Sequence, residues 1–162
     1  MTDLRVGLGI DAHAFSADVP LVLGGVRFDY PRGLAGHSDG DVITHALIDA
    51  LLGAAGLGDI GTLFPSDEST PAGIDSLHLL REAAGRVHAA GYAVGNADCV
   101  LIGEEPRIAE RRGEMERILR DISGAPVSVR ATTTDRLGFT GRGEGLAAQA
   151  VVLLVTTRRH TA

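Results

Sequence analysis

Residues 36–61 read GHSDGDVITHALIDALLGAAGLGDIG, and this stretch decides the fold because it contains the clearest helix of the chain. Its apolar residues recur at the three-and-four spacing of an amphipathic helix. They are Ile43, Leu47, Ala50, Leu51 and Ala54. We predict that this side faces a core. The opposite side carries, four residues apart, Asp41, His45 and Asp49. A surface helix usually carries Lys or Arg there, so we expect chemistry on this stripe.

Two residues indicate where this helix starts. Ser38 is a natural N-cap, and Asp41 completes the Ser-x-x-Asp form of a capping box. We therefore predict that the helix begins at Ser38 or close to it. His37 then lies just outside the N-terminus, where unpaired backbone N–H groups and the helix dipole favour a bound anion.

The composition limits the class of protein. The chain has 162 residues, 44% of them hydrophobic, which favours a single domain over residues 1–162. The lone Cys99 excludes an internal disulfide, and the absence of Lys excludes Schiff-base chemistry and a Walker phosphate lysine. The net charge of −6 argues against a nucleic-acid partner. No apolar run reaches about 18 residues, which argues against a membrane partner. We expect a cytoplasmic protein.

Residues 5–13 predict a half-buried strand, because apolar residues alternate strictly with other residues. One face carries Val6, Leu8, Ile10 and Ala12. The other face carries Arg5, Gly7, Gly9, Asp11 and His13. The alternation therefore places Asp11 and His13 side by side at the C-terminal end of the strand.

The next part of the chain predicts a hairpin, a loop and a helix. Residues 21–23 and 26–28 flank Gly24-Gly25 at hairpin spacing. Residues 58–73 lack periodicity and predict a loop, and residues 74–90 predict a second helix.

The last part predicts one more helix and three strands. Pro106 fits the first turn of a helix that ends near Ser123-Gly124. Strands are predicted over residues 92–102, 127–133 and 146–155, and periodicity alone leaves the last one ambiguous with a helix. The β-αα-β-α-β-β order indicates an α/β (α+β) domain with a mixed sheet and helices on one face. The other apolar face then needs a partner, which a symmetric oligomer would supply.

Three residues offer nitrogen and oxygen ligands on rigid elements. Asp11 and His13 on a strand and His45 on a helix suit a catalytic Zn²⁺ with an open fourth position. A buried His bonded to a neighbouring Asp explains the same pattern. His37 is equally compatible with a capping or surface role, and Asp41 and Asp49 with a solvated helix face.

Residues 131–145, ATTTDRLGFTGRGEG, form a second cluster. It offers the hydroxyls of Thr132, Thr133 and Thr134, and the hard carboxylate of Asp135 suits Mg²⁺ or Mn²⁺. Arg142 adds a forked donor for phosphate. An ordinary glycine-rich hairpin explains this segment equally well. Together, the two clusters indicate a pocket for a diphosphate, with an attacking group that belongs to the substrate.

Four segments closely resemble the 2-C-methyl-D-erythritol 2,4-cyclodiphosphate synthase family of non-mevalonate isoprenoid biosynthesis. They are GHSDGDVITHALIDALLGAAGLGDIGTLFP, DAH near the N-terminus, ATTTDRLGFTGRGEG and IGEEPRI. The resemblance covers essentially the whole chain. It implies a homotrimer whose sheets pack around a three-fold axis and whose active sites lie between subunits.

The resemblance also implies roles for single residues. Asp11, His13 and His45 would hold one Zn²⁺ per subunit, and Asp135 would reach Mg²⁺ or Mn²⁺ between the substrate phosphates. His37 and Ser38 would contact the erythritol phosphate. A flexible flap would line the methylerythritol pocket with Asp59, Ile60, Gly61, Phe64, Pro65, Ser66, Asp67 and Glu68.

The cytidine diphosphate part of the substrate would lie across a subunit boundary. The residues that would hold it are Gly103, Glu104, Glu105, Pro106, Arg107, Ile108 and Ala109, together with Thr132, Thr133, Thr134 and Asp135. Phe139 and Arg142 would face a central cavity, where the family can hold an isoprenoid diphosphate.

The implied reaction is attack of the substrate 2-phosphate on its own β-phosphorus with loss of CMP, and His37 and Thr133 are the candidates for hydrogen bonds that tighten in the transition state. This chain departs from the family at three places. Ser66-Asp67-Glu68 replaces Asp-Thr-Asp, Asp135 stands where Glu is common, and Arg107 where Lys is frequent. The rival functions are a metal-dependent phosphodiesterase and a non-catalytic trimeric isoprenoid-diphosphate-binding protein.

Overall fold

The computed structural model describes residues 3–157 as one layer of helices on one mixed sheet. Its strands are β1 (Leu4–Ser16), β2 (Leu21–Leu23), β3 (Val26–Phe28), β4 (Gly33–Leu34), β5 (Tyr92–Ile102), β6 (Val127–Thr132) and β7 (Gly145–Thr156). Its helices are α1 (Val42–Ala55), α2 (Ile60–Leu63), α3 (Ser76–Ala89), α4 (Arg112–Ser123) and α5 (Gly138–Gly141). The predicted α/β (α+β) class with helices on one face is confirmed, and the short β4, α2 and α5 are additions to it.

The main sheet has the strand order β4-β1-β7-β5-β6, and β2 and β3 form a separate hairpin. β7 is antiparallel to both β1 and β5, whereas β5 and β6 are parallel. β1, β5 and β6 therefore run in the same direction, and their C-terminal ends lie at the same end of the sheet. The register places His13 opposite Leu146 and Ile102 opposite Ala147, so the start of β7 lies between the other two strand ends.

The glycine face of β1, and not its apolar face, packs against a helix. A Cβ atom on Gly7 would lie 1.9 Å from the carbonyl oxygen of Ala50, and one on Gly9 would lie 1.9 Å from that of Ala46. The glycine face is therefore the one that packs on α1. Val6, Leu8 and Ile10 on the opposite face are 70%, 59% and 58% exposed. The strand is half-buried as predicted, but within one chain its apolar face is the open one.

Helix α1 begins at Val42, so the prediction of a start at Ser38 was wrong. Asp41 is the N-cap, and its carboxylate accepts hydrogen bonds from the Thr44 N–H and hydroxyl. The same carboxylate accepts from the N–H groups of Gly24 and Gly25 in the β2–β3 hairpin, at 2.8 and 2.7 Å. This contact with a distant hairpin selects Asp41 over Ser38. Asp41 is fully buried, so it does not belong to a solvated helix face.

The predicted apolar side of α1 does face the core, but most of the other residues of the helix are buried too, because α1 packs against both the sheet and α3. The core is aliphatic, with Leu47, Leu51, Leu80 and Leu154 among its fully buried side chains. Within residues 3–157, no helix is long and apolar enough to cross a membrane.

The other predicted elements differ mainly at their ends. The second helix, predicted over residues 74–90, is Ser76–Ala89 with Asp75 as its N-cap. The third helix begins at Arg112, so the prediction that Pro106 lies in its first turn was wrong. The residues between β5 and α4 form a loop instead, and this loop lines a pocket described below. The last strand is confirmed as β7, because it pairs with both β1 and β5.

Candidate functional site

Three side chains from β1 and α1 converge at one end of the sheet. One carboxylate oxygen of Asp11 lies 2.8 Å from His13 Nε2 and 3.0 Å from His45 Nδ1. The two imidazole nitrogens are themselves 3.2 Å apart. All three candidate ligand atoms lie within 4.8 Å of one another, so they can share one metal ion. One carboxylate and two imidazoles are a common ligand set for catalytic zinc, which leaves a fourth position for substrate.

Hydrogen bonds on the far side of each imidazole leave one nitrogen free to face this point. His13 Nδ1 donates to the carbonyl oxygen of Ala35 at 2.5 Å, so Nε2 is the nitrogen that faces Asp11 and can bind a metal ion. His45 Nε2 lies 3.0 Å from the Ser38 hydroxyl and 2.8 Å from that of Ser76, so Nδ1 is the nitrogen that faces Asp11. Outer contacts of this kind fix the tautomer and ring orientation of metal-binding histidines.

The charges at this point are coupled. Burial opposes ionisation of Asp11, but hydrogen bonds with His13 and His45 outweigh it and lower the pKa of this carboxyl group. The hydrogen bond to Asp11 raises the pKa of His13, against the opposing effect of burial. Asp11 is thus ionised at neutral pH, as a metal ligand must be. A divalent cation would replace the protons that the imidazoles share with it.

A cavity, here the triad pocket, opens onto these ligands. Its lining is His37, Ser38, Ile60, Gly61, Phe64, Ser66, Thr70, Ile74 and Leu79, together with Asp11, His13 and His45. A histidine buried only to satisfy a neighbouring Asp would need no such opening. The geometry therefore favours the metal-site alternative over the buried His–Asp alternative.

The residues of the expected flap divide into two groups. Ile60, Gly61, Phe64 and Ser66 line the triad pocket. The other predicted flap residues do not line it: Asp59, Pro65, Asp67 and Glu68. Asp59 is the N-cap of α2, and Asp67 accepts from the N–H and hydroxyl of Ser69, so both carboxylates are engaged within the segment itself.

Two contacts tie this segment to the ligand-bearing region. Asp49 of α1 accepts a hydrogen bond from the Ile60 N–H at 2.7 Å, and burial raises the pKa of Asp49. His37 Nε2 donates to the carbonyl oxygen of Thr70 at 2.6 Å. His37 thus lies in the triad pocket with its Nδ1 atom available.

A second cavity, here the strand-end pocket, lies where β5 and β6 end. All seven predicted residues from Gly103 to Ala109 line it, with Arg112, Arg130, Ala131, Thr132 and Thr133. Thr134 and Asp135 do not. The Thr134 hydroxyl donates to the Leu137 carbonyl oxygen, and Asp135 is exposed with a positive φ of 51°. Phe139 and Arg142 also line neither pocket. Phe139 is 41% exposed, and Arg142 pairs with Glu144.

The two pockets share no lining residue. The sequence clusters were expected to form one pocket, but a single chain keeps them apart, with the start of β7 between them. Both nonetheless lie at the same end of the sheet, because β1, β5 and β6 run in the same direction.

Several residues near these pockets were missed from the sequence, among them two arginines and two residues behind His45. Arg112 and Arg130 line the strand-end pocket, and Asp39 and Ser76 lie behind His45. The Arg residues gave no signal, since fifteen cationic residues are spread along the chain. Asp39 belongs to the quoted HSDGD segment and was the one that could have been singled out.

The fold and the triad place this protein in a class of α/β domains that carry a candidate metal site. Residues 4–155 match the YgbB family model, and the chain belongs to the YgbB family. It is 52% identical over 155 residues to the 2-C-methyl-D-erythritol 2,4-cyclodiphosphate synthase of Escherichia coli O1:K1 (APEC), covering 94% of this chain and 98% of that relative.

Solved structures agree with this membership. The bifunctional IspDF from Campylobacter jejuni matches with a TM-score of 0.92 and 37% identity, over 96% of this chain and 43% of that chain. The Plasmodium falciparum IspF CDP complex matches with a TM-score of 0.84 and 31% identity, over 96% of this chain and 97% of that chain. The chain is therefore an enzyme of isoprenoid biosynthesis, with the reaction class of a cyclodiphosphate synthase.

Proposed function

We propose that the protein converts 4-diphosphocytidyl-2-C-methyl-D-erythritol 2-phosphate into 2-C-methyl-D-erythritol 2,4-cyclodiphosphate and CMP. The observation that carries this proposal is the convergence of Asp11, His13 and His45 on one point at the mouth of an open pocket. In the reaction, an oxygen of the 2-phosphate forms a bond to the β-phosphorus. The bond from this phosphorus to the bridging oxygen breaks, and CMP leaves with that oxygen.

The chain offers ligands for two kinds of divalent ion, one at the triad and one at Asp135. Asp11, His13 and His45 would hold Zn²⁺, one per subunit, because one carboxylate and two imidazoles suit this ion. Asp135 would reach Mg²⁺ or Mn²⁺, because a lone carboxylate suits a hard ion that keeps part of its water. Bound there, the two ions would neutralise phosphate charge and align the attacking and leaving oxygens.

The chain's own residues would bind and orient the substrate. Ile60, Gly61 and Phe64 would cover the methylerythritol part and exclude water, because they line the triad pocket. As an imidazolium, His37 would donate from Nδ1 to a phosphoryl oxygen while Nε2 donates to Thr70. The Thr133 hydroxyl would donate to the diphosphate from the strand-end pocket. Ser38, beside His45, would contact the erythritol phosphate.

The strand-end pocket would hold the cytidine diphosphate part of the substrate. The relative from Plasmodium falciparum is described as a CDP complex, which supports a nucleotide ligand for this fold. The loop from Gly103 to Ala109 offers backbone groups for the nucleotide, and Thr132 offers a hydroxyl. Arg107 and Arg112 add positive charge that suits its phosphates. Thr134 and Asp135 would join them from the adjoining turn.

A homotrimer with sheets around a three-fold axis would bring the two kinds of pocket together. Two observations support it. Val6, Leu8 and Ile10 form an exposed apolar face on the sheet, which is unfavourable in water. Neither pocket of one chain contains both the triad and the nucleotide residues, so a neighbouring subunit would complete each active site. Phe139 and Arg142 would line a central cavity that can take an isoprenoid diphosphate.

The test is to incubate the metal-loaded enzyme with the cytidyl substrate and to follow the products by phosphorus NMR. We expect stoichiometric CMP and the cyclic diphosphate. Methylerythritol 2,4-bisphosphate, the linear product of attack by water, would instead show a metal-dependent phosphodiesterase. No turnover, with tight binding of isoprenoid diphosphate, would show a binding protein. Either result would overturn the proposal.

A further inference from the structure

We propose that Ser76, held by Asp39, is the positioning residue that orients His45 for metal binding. This inference rests on the proposed function, because it concerns the metal which that reaction would use.

The Ser76 hydroxyl lies between His45 and a carboxylate. Ser76 is the first residue of α3 and is fully buried. Its Oγ atom is 2.8 Å from His45 Nε2, and it also donates to Asp39 Oδ1. A hydroxyl has a single proton to donate. Because that proton goes to Asp39, the Ser76 oxygen accepts from His45, so His45 carries a proton on Nε2. His45 Nδ1, which faces Asp11 and His13, is then the nitrogen that can exchange its proton for a metal ion.

Asp39 is itself held by backbone groups. Its Oδ2 atom accepts from the Ser76 N–H and its Oδ1 atom accepts from the Asp41 N–H, both at 3.1 Å. The carboxylate thus joins the start of α3 to the turn that leads into α1. It cannot rotate away from the Ser76 hydroxyl without losing these two bonds. A carboxylate behind a hydrogen-bonded imidazole raises the basicity of the ligand nitrogen, here through Ser76.

Ser38 provides a built-in comparison. Its hydroxyl lies 3.0 Å from the same nitrogen of His45. Its other contact, at 3.3 Å, is as an acceptor from the Gly40 N–H. Within residues 3–157, no carboxylate is bonded to the Ser38 hydroxyl, so this hydroxyl can donate to His45 as readily as accept from it. Ser38 alone therefore does not select the tautomer.

The experiment measures the Zn²⁺ dissociation constant of the metal-free enzyme by competition with a chromogenic chelator, without substrate. We expect Ser76→Ala to weaken Zn²⁺ binding by about 10–100-fold. Ser76→Thr, which keeps the hydroxyl, should restore most of the affinity. Asp39→Asn should give a smaller loss than Ser76→Ala, because an amide oxygen still accepts from Ser76. Ser38→Ala is the matched control and should weaken binding less than any variant that lacks the Ser76 hydroxyl.

A second measurement reports the tautomer directly. Nitrogen-15 spectra of the Zn²⁺-loaded enzyme should show His45 protonated on Nε2, the nitrogen that Ser76 holds. At the same Zn²⁺ concentration, Ser76→Ala should show a second form of His45 that is protonated on Nδ1, which blocks the metal-facing nitrogen. A loss of folding alone would not produce this change. If Ser76→Ala does not fold, the same spectrum of Asp39→Asn decides the question.

The inference is overturned if Ser76→Ala binds Zn²⁺ as tightly as the parent, or if Ser38→Ala weakens binding as much as Ser76→Ala. These results are independent of turnover. A parent enzyme that makes the cyclic product but shows no effect of Ser76→Ala rejects this inference alone. A parent enzyme that binds Zn²⁺ as described here but releases no CMP rejects the proposed function alone.

Discussion

The triad pocket and the strand-end pocket are built in opposite ways. The triad side chains stand on β1 and α1, and both histidines have an outer partner that holds the ring. The strand-end pocket is lined by the loop after β5 and the end of β6, where most residues are exposed. At its rim, Asp135 and Arg136 both have positive φ, at 51° and 65°. The triad residues are thus set by one chain, whereas the residues proposed for the nucleotide are held by loops open to solvent.

This difference separates metal binding from turnover. One folded chain holds all three triad ligands, so it should bind Zn²⁺ without a neighbour. In the proposed function, cyclisation needs both pockets and hence the subunit contact. The four predictions below test this division.

The largest effect is expected from His45→Ala. Removal of one triad ligand should abolish stoichiometric Zn²⁺ and, if the metal supplies several kcal/mol, reduce turnover by about a thousandfold or more. Metal analysis and CMP release measure the two effects. Unchanged turnover in a metal-free His45→Ala preparation would show that the triad is not the reaction centre.

Ile10→Asp should separate the two pockets. Ile10 is 58% exposed on the apolar sheet face, so a buried charge there would break the subunit contact. We expect smaller particles by light scattering, an unchanged Zn²⁺ dissociation constant and a turnover reduced by about a hundredfold or more.

The control for Ile10→Asp is Val19→Asp, at a 39% exposed position outside the sheet, which should leave all three quantities unchanged. Full activity of a monomeric Ile10→Asp enzyme would contradict the division, because one chain would then suffice for catalysis.

Arg112→Ala should act on the strand-end pocket alone. Arg112 lines that pocket, and its nearest carboxylate, that of Glu116, is 3.8 Å away, so its charge is largely available to a ligand. We expect KM to rise about tenfold, as for the loss of one charged hydrogen bond, with Zn²⁺ binding unchanged. Arg117→Ala on the same helix is the control. An equal rise in KM in both variants would mean that Arg112 contributes only to overall charge.

The smallest effect concerns the edge of the strand-end pocket. Arg130, which lines it, bonds to Asp98, and this contact lowers the pKa of the Asp98 carboxyl group. A lowered folded-state pKa stabilises the fold above the unfolded pKa of about 3.9, and the stabilisation is lost as the pH falls through the folded-state value. Because the pair is exposed, Asp98→Asn should cost less than about 1 kcal/mol of unfolding free energy at neutral pH.

Denaturant unfolding of Asp98→Asn and the parent across an acid pH series checks this prediction. The difference between them should vanish at the acid end. A difference that grows as the pH falls would have the wrong sign for this ion pair.

Local patterns predicted the elements of the fold well, because each depends on neighbouring residues. The strict alternation around Asp11 and His13 correctly predicted the strand and the common face on which the two side chains lie. The prediction of where α1 starts was wrong, because Ser38 and Asp41 are both favourable N-cap residues. The choice between them depends on the N–H groups of Gly24 and Gly25, in a hairpin that the local pattern does not contain.

The site residues that were missed depend on contacts between distant parts of the chain. Ser76 meets Asp39 across 37 positions, and it has no motif of its own. The separation into two pockets could not be predicted from the sequence either, because it depends on the position of β7 in the sheet. The pattern of β1 left a further ambiguity. It showed an apolar face and a glycine face, but which one meets a helix depends on how closely that helix approaches.

The bare backbones of Gly7 and Gly9 have a consequence for the metal geometry. They allow the backbone of α1 to lie almost in contact with β1. This close approach sets the distance between the two elements that carry the triad residues. Ala46, whose carbonyl oxygen faces Gly9, is the neighbour of His45, and Asp11 lies two residues beyond Gly9. A single methyl group added at Gly9 would push the helix outward and widen the gap that the ion must bridge. The absence of a side chain at Gly7 and Gly9 thus helps to set the distance between His45 on the helix and Asp11 on the strand.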